Sequence, residues 1–125
     1  MNALKAKARR MAPSLSRGRS VVYFLRLKSG VIYVGCSTDL EQRLEEHLAG
    51  HACRTTRLDQ PTELLRIEPL GSFSEARQRE AQLKRWSRAK KEALIRDDLT
   101  TLRHLSHSRP SAKNKQPPPP YRPSR

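Results

Sequence analysis

Residues 21–35 read VVYFLRLKSGVIYVG. Val21 to Leu27 and Val31 to Cys36 are rich in β-branched and aromatic residues, which favours strands. Lys28-Ser29-Gly30 between them suits a short hairpin connection, with Gly30 free to take positive φ. Each strand carries one tyrosine, Tyr23 and Tyr33. Two readings stay open for them at this point: aromatic β-formers in a sheet, or two phenols held for chemistry.

Beyond the hairpin, Thr38 with Glu41 three residues later has the capping-box pattern and predicts a helix to about Leu48, with Gly50 as its stop. Residues 51–61 read as irregular. A third strand is expected over Thr62 to Leu70, centred on Glu63-Leu64-Leu65-Arg66-Ile67. A second capping box, Ser72-Phe73-Ser74-Glu75, opens a helix through about Trp86, and Ser87 caps a third that ends near Asp97. The order β-β-α-β-α-α predicts a small α+β domain with a three-stranded, mostly antiparallel sheet flanked by helices.

The chain has 125 residues, enough for one small domain with a modest core. Its hydrophobic fraction of 35% is low for a fully folded chain, and its net charge of +14 points to a polyanionic partner, most simply nucleic acid. No apolar run is long enough to span a bilayer, and no long basic amphipathic helix argues for a membrane surface. Two cysteines, Cys36 and Cys53, make no disulfide framework and suit a reducing cytosol. Ten of the fourteen net positive charges fall in residues 1–20 and 97–125. Together with the proline run Pro117 to Pro120, this predicts a mobile basic N-terminal tail over residues 1–19, a folded domain over 20–99 and a basic, proline-rich disordered tail over 100–125. The expected location is the bacterial cytoplasm, ahead of an organelle addressed by the basic, acid-free N-terminal segment.

Helical periodicity then singles out charged residues on apolar faces. Leu40, Leu44 and Leu48 form one stripe, and Arg43 and His47 share it, while Glu41, Gln42, Glu45 and Glu46 lie on the other side. In the next helix Phe73, Ala76 and Leu83 mark the buried face, Glu80 lies among them and Lys84 borders it. A carboxylate there is costly unless a cation, a metal or hydrogen-bond donors meet it. An edge-snorkelling Arg43, a hydrogen-bonded core His47 and a structural ion pair for Glu80 are the plain alternatives. The sharper expectation is that Tyr23, Tyr33, Arg43, His47 and Glu80 converge over one face of the sheet.

This ordered set resembles the GIY-YIG nuclease domain over about residues 20–96. Val21-Val22-Tyr23 and Tyr33-Val34-Gly35 stand in the two half-motifs, followed by Arg43, His47, Thr55-Thr56-Arg57, Pro61, Glu80, Lys84 and Lys91-Glu92-Ala93-Leu94-Ile95. It looks most like the small stand-alone bacterial members, and is similar to the N-terminal catalytic domain of UvrC-type excision nucleases. Valines replace Gly-Ile in the first half-motif. The asparagine that some members carry after the metal-binding glutamate is absent, with Glu92 near that point and no asparagine between Glu80 and Asn114.

The resemblance implies a divalent-metal-dependent endonuclease acting on nucleic acid, DNA ahead of RNA, with a role in repair or recombination by analogy. It implies Glu80 as a ligand of Mg2+ or Mn2+, Arg43 on the scissile phosphate, and Tyr23 as general base. Tyr33 and His47 would then position the water or relay a proton. Lys84, Arg85, Arg88, Lys90 and Lys91 would hold backbone phosphates, against a plain solvated helix face. Two further classes are a catalytically weak or inactive nucleic-acid-binding module on the same scaffold, and a zinc-stabilised adaptor using Cys36, His47, His51 and Cys53.

Overall fold

The structure is a computed structural model, and it describes residues 3–13 and 18–107. Strands β1 (Val21–Leu27) and β2 (Ile32–Ser37) form the expected hairpin, and β3 (Pro61–Pro69) pairs with the other edge of β1. The sheet order is β2-β1-β3 and both pairings are antiparallel. Gly30 closes the turn at φ 99°, donating to the Leu27 carbonyl at 2.8 Å. Asp59 braces the turn from outside by accepting from the Ser29 N–H at 3.0 Å.

β1 is central because almost every residue in it is apolar. Its pleat sends Val21, Tyr23, Leu25 and Leu27 to one core and Val22 and Phe24 to the other. The first core lies under α1 (Ala3–Met11) and α2 (Leu40–Ala49), through Leu4, Ala8, Leu40 and Leu44. A short α3 (Arg54–Leu58) packs against α2. The second core lies under α4 (Phe73–Lys84) and α5 (Arg88–Ile95), through Ala76, Leu83 and Leu94, with α6 (Leu99–His107) adding Leu102 at its margin. The fold is thus α+β with a three-stranded antiparallel sheet, and it contains the expected β-β-α-β-α-α order. No helix among the described residues is long and apolar enough to cross a membrane.

Several boundaries differ from the expectations. The cap of α2 is Asp39, whose carboxylate accepts from the Gln42 N–H, rather than Thr38. Glu41, the acid a Thr38 capping box would use, is instead held by both Nε and Nη2 of Arg9, each at 2.9 Å. Ser72 and Ser87 cap α4 and α5 as predicted, though the Glu75 carboxylate reaches back to the Gly71 N–H, not to Ser72. Phe73 is exposed, because it opens α4 ahead of the turn that meets the sheet. Gly50 ends α2 at φ 81°.

The mobile basic tail expected over 1–19 is corrected for residues 3–11, which form α1. Leu4 and Ala8, one turn apart, are buried against the sheet, and burying a leucine stabilises by about 2 kcal/mol. The basic residues around them meet acids that lie far away in sequence: Lys5 pairs with Glu45, Lys7 with Glu63 and Arg9 with Glu41. Residues 51–61 include α3, and the segment after residue 99 begins with α6. The proline-rich tail beyond residue 107 lies outside the described residues.

Candidate active site

Tyr23 and Tyr33 lie on the sheet face covered by α2, and Gly35 makes room for the first of them. Gly35 pairs with Tyr23 across the ladder, and a Cβ on Gly35 would fall 2.5 Å from Tyr23 Oη and 2.6 Å from its Cζ. The Tyr23 ring therefore rests directly on the β2 backbone, which only a residue without a side chain permits.

His47 descends from α2 between the two rings. It meets Tyr23 and Tyr33 edge-on, with centroids 5.7 and 5.3 Å away. Its Nε2 is 2.7 Å from Tyr23 Oη, and its Nδ1 is 2.7 Å from Thr56 Oγ1 on α3. His47 is 1% exposed and Thr56 is 0% exposed. The Cys53 sulfur sits 3.5 Å from Thr56 Oγ1 and 3.5 Å from Tyr33 Oη. Hydrogen bonds thus connect the two phenols through His47, Thr56 and Cys53. Arg43, one turn before His47, is partly exposed. Its guanidinium donates to Glu46 at 2.9 Å, and its charge acts on the Tyr23 hydroxyl.

Glu80 approaches from the opposite side. α4 packs on the second core, so the five residues do not gather over one face as expected. The pleat explains why: Tyr33 pairs with Leu25 and faces α2, whereas Cys36 pairs with Val22 and faces α4. Glu80 lies beside Cys36, with Oε1 3.1 Å from its sulfur and Oε2 2.9 Å from Lys84 Nζ. Lys84 Nζ in turn lies 5.8 Å from the Tyr33 ring centroid, and the Glu80 charge acts on the Tyr33 hydroxyl. Because β2 is an edge strand, the two halves meet across its free edge.

The electrostatics follow from burial. Burial holds His47 neutral, lowering its pKa to about 4 with help from the Arg43 charge. Burial also drives the Tyr23 phenol well above its ordinary value, as does nearby Tyr33, with Arg43 pulling the other way. Tyr33 is raised by burial, by Cys53 and by Glu80. Burial and the Glu80 carboxylate push the Cys36 thiol up to about 12. Burial opposes ionisation of Cys53 too, but hydrogen bonds from Thr56 and Tyr33 outweigh it and its pKa falls.

The basic residues expected to hold phosphates divide. Lys84 borders the site, and Lys91 is partly buried near it, its pKa lowered by burial and by the Lys84 charge. Arg85 is exposed at the end of α4. Arg88 is bonded to Glu92 at 2.7 Å, and Lys90 lies 4.3 Å from the Trp86 ring centroid. That Arg88 bond takes up the Glu92 carboxylate in this structure.

The zinc arrangement is not formed. Cys36 lies with Glu80, Cys53 lies with Tyr33 and Thr56, and both His47 nitrogens are already bonded. Among the described residues no group of three or more His, Cys, Asp or Glu could hold a metal. Glu80 alone is a hard oxygen donor at a partly open edge. That suits Mg2+ or Mn2+, which keep several waters and bind one or two carboxylates plus substrate phosphate.

Two residues of this network had no role assigned from sequence. Thr56 was legible only as part of Thr55-Thr56-Arg57 in the family resemblance, and Cys53 only as a zinc-compatible side chain. Both lie in a stretch without periodicity, so nothing in the spacing directed them to His47.

Comparison with known proteins agrees with this geometry. Residues 19–93 match the GIY-YIG catalytic domain. A UPF0213 protein of Natronomonas pharaonis is 43% identical over 77 residues, which cover 62% of this chain and 91% of that protein. One from Halobacterium salinarum is 42% identical over 74 residues, covering 59% of this chain and 96% of its own length. One from Staphylococcus saprophyticus is 35% identical over 74 residues, covering 59% and 90%. No solved structure matches. With the two tyrosine half-motifs on a hairpin, arginine and histidine on the following helix and glutamate at the edge of the sheet, the chain belongs to the GIY-YIG catalytic domain family.

Proposed function

We propose that this protein is an endonuclease that hydrolyses phosphodiester bonds, with DNA as substrate ahead of RNA and Mg2+ or Mn2+ as cofactor. The observation that carries the reading is the Tyr23–His47 hydrogen bond of 2.7 Å, placed with Arg43 and Tyr33 beside the Glu80 edge of β2. The net charge of +14 suits a polyanionic substrate.

In this reading Arg43 binds the scissile phosphate, where its planar fork matches two oxygens. Tyr23 takes the proton of the attacking water, which requires a phenolate. His47 Nε2 is the adjacent acceptor for the phenol proton, and Arg43 favours the ionised oxygen. Tyr33 holds the water in place, and His47, with both nitrogens bonded, relays the proton instead. Glu80 would hold the divalent ion with its carboxylate released from Lys84, and Lys84 would then pair with substrate phosphate. When bound, the ion stabilises charge developing on the phosphoryl oxygens. Arg85, Arg88, Lys90 and Lys91 extend this cationic surface along α4 and α5. The folded unit is residues 20–99 together with α1 and α6, and a role in repair or recombination rests on the resemblance to UvrC-type nucleases.

The test is a cleavage panel of single strands, duplexes, flaps and junctions with Mg2+ or Mn2+, using Glu80→Ala as control. Divalent-dependent products are expected from the wild type, and none from Glu80→Ala with its circular dichroism spectrum unchanged. Equal cleavage by the variant would remove Glu80 from the site. The absent asparagine favours one second reading, a non-catalytic binding module. Salt-sensitive binding by the wild type with no product on any substrate would establish that instead.

A further inference from the structure

We propose that Thr56 is a positioning residue that sets the tautomer of His47, keeping the proton on Nδ1 and leaving Nε2 as an acceptor aimed at Tyr23. The argument is a count of protons in a closed space. A phenol has one hydrogen to donate, and an arginine can only donate. Arg43, whose charge acts on the Tyr23 oxygen, offers no acceptor for that hydrogen. The Tyr23 hydrogen must go elsewhere, and His47 Nε2 at 2.7 Å is its partner. Nε2 is therefore unprotonated, and a neutral imidazole then carries its hydrogen on Nδ1.

That Nδ1–H points at Thr56 Oγ1, also at 2.7 Å, so the threonine oxygen accepts. The threonine hydrogen is left for the Cys53 sulfur at 3.5 Å, where either atom can donate. His47 and Thr56 are 1% and 0% exposed, which leaves water little access to offer a substitute partner. The whole set is consistent in one direction: Tyr23 to His47, His47 to Thr56, Thr56 to Cys53. Reversing the tautomer would place a hydrogen on Nε2 facing Tyr23 and deny the phenol hydrogen its acceptor.

The catalytic consequence rests on the nuclease reading, because the Tyr23 proton needs a destination when the phenol acts as base. The tautomer itself does not rest on it. Long-range nitrogen–proton NMR of the full chain without metal reads the tautomer directly. A protonated Nδ1 and a bare Nε2 are expected in the wild type and in Thr56→Ser. An Nε2–H tautomer in the wild type would overturn the proposal. Thr56→Val keeps the shape and removes the acceptor. It is expected to lose the single Nδ1–H form and, in the cleavage assay, to lower kcat about 10- to 100-fold with KM unchanged, while Thr56→Ser restores both. A Thr56→Val protein that keeps the wild-type tautomer would also overturn it. If the wild type cleaves nothing, the nuclease reading fails and the NMR result still decides this one.

Discussion

On the α2 side of the sheet the fully buried polar groups His47 and Thr56 are neutral, and on the α4 side a partly buried network is ionic. Tyr23, His47 and Thr56 are essentially dry and bonded to one another. Across the sheet, Glu68 of β3 lies between Arg79 (2.7 Å) and Arg66 (3.0 Å), with its side chain 13% exposed and those of the arginines about one quarter. Neutral groups that satisfy each other can be withdrawn from water almost completely, whereas ions keep some contact with it because stripping their hydration costs far more. The dry tyrosine–histidine–threonine set therefore sits on the closed face, with Arg43 at its partly exposed rim, and the Glu68 network on the more open one. Glu80 belongs to the open face, and the β2 edge is where its charge acts on Tyr33.

The largest expected effect comes from the residue that lets Tyr23 lie on the β2 backbone. Gly35→Ala places a methyl within 2.5 Å of the Tyr23 hydroxyl, and the ring must leave His47. Cleavage should fall about 100-fold or more, with a stability loss of about 2 kcal/mol in urea denaturation. Wild-type activity in this variant would show that the Tyr23 position is not what the closed face provides.

Acid titration separates the two faces next. The folded-state pKa of His47 is depressed to about 4 from its ordinary 6.5. Its stabilising contribution is present above 6.5 and is lost as pH falls through that window, because the unfolded chain binds the proton first. The loss is on the order of 3 kcal/mol at the low end. Urea midpoints measured across pH 7 to 4 should fall accordingly, and His47→Asn should flatten the curve in that range. Glu68 acts in a lower window. Burial opposes its ionisation, but Arg79 and Arg66 outweigh burial and its pKa falls below 4.5, so its contribution persists until more acidic pH. A midpoint that is flat between 6.5 and 4 would show that the closed face does not hold its histidine neutral.

The smallest effect tests the ionic face alone. Glu68→Gln should cost about 1–2 kcal/mol by leaving two arginines short of a charged acceptor. Cleavage per folded molecule should stay within about twofold, as expected for a residue outside the machinery. A large loss of kcat at unchanged stability would link this network to catalysis and break the division between the faces.

The legible parts of the sequence were those in which a local pattern carries a local cause. The hairpin was readable because alternation and the Lys28-Ser29-Gly30 turn act over a few residues, and Gly30 takes its positive φ there. The caps Ser72 and Ser87 and the stop Gly50 were readable for the same reason. α1 was not, because its basic residues were counted as charge, and the acids that pair with them lie 32, 40 and 56 positions away. Thr56 was not, because a five-residue helix in an aperiodic stretch carries no signal for a partner nine positions back.

By itself the sequence determined an antiparallel hairpin with two tyrosines, the i,i+4 placement of Arg43 and His47, and a glutamate on the buried stripe of a later helix. Each of these follows from strand or helix period alone. Only the tertiary structure decided that the phenols and Glu80 approach from opposite faces, that Gly35 is the floor under Tyr23, and that Thr56 closes the far side of His47. Those facts depend on strand order, on the alternation of the pleat between Tyr33 and Cys36, and on which helix packs on which face. No periodicity within one element can encode them, because each is a relation between elements brought together when the chain folds.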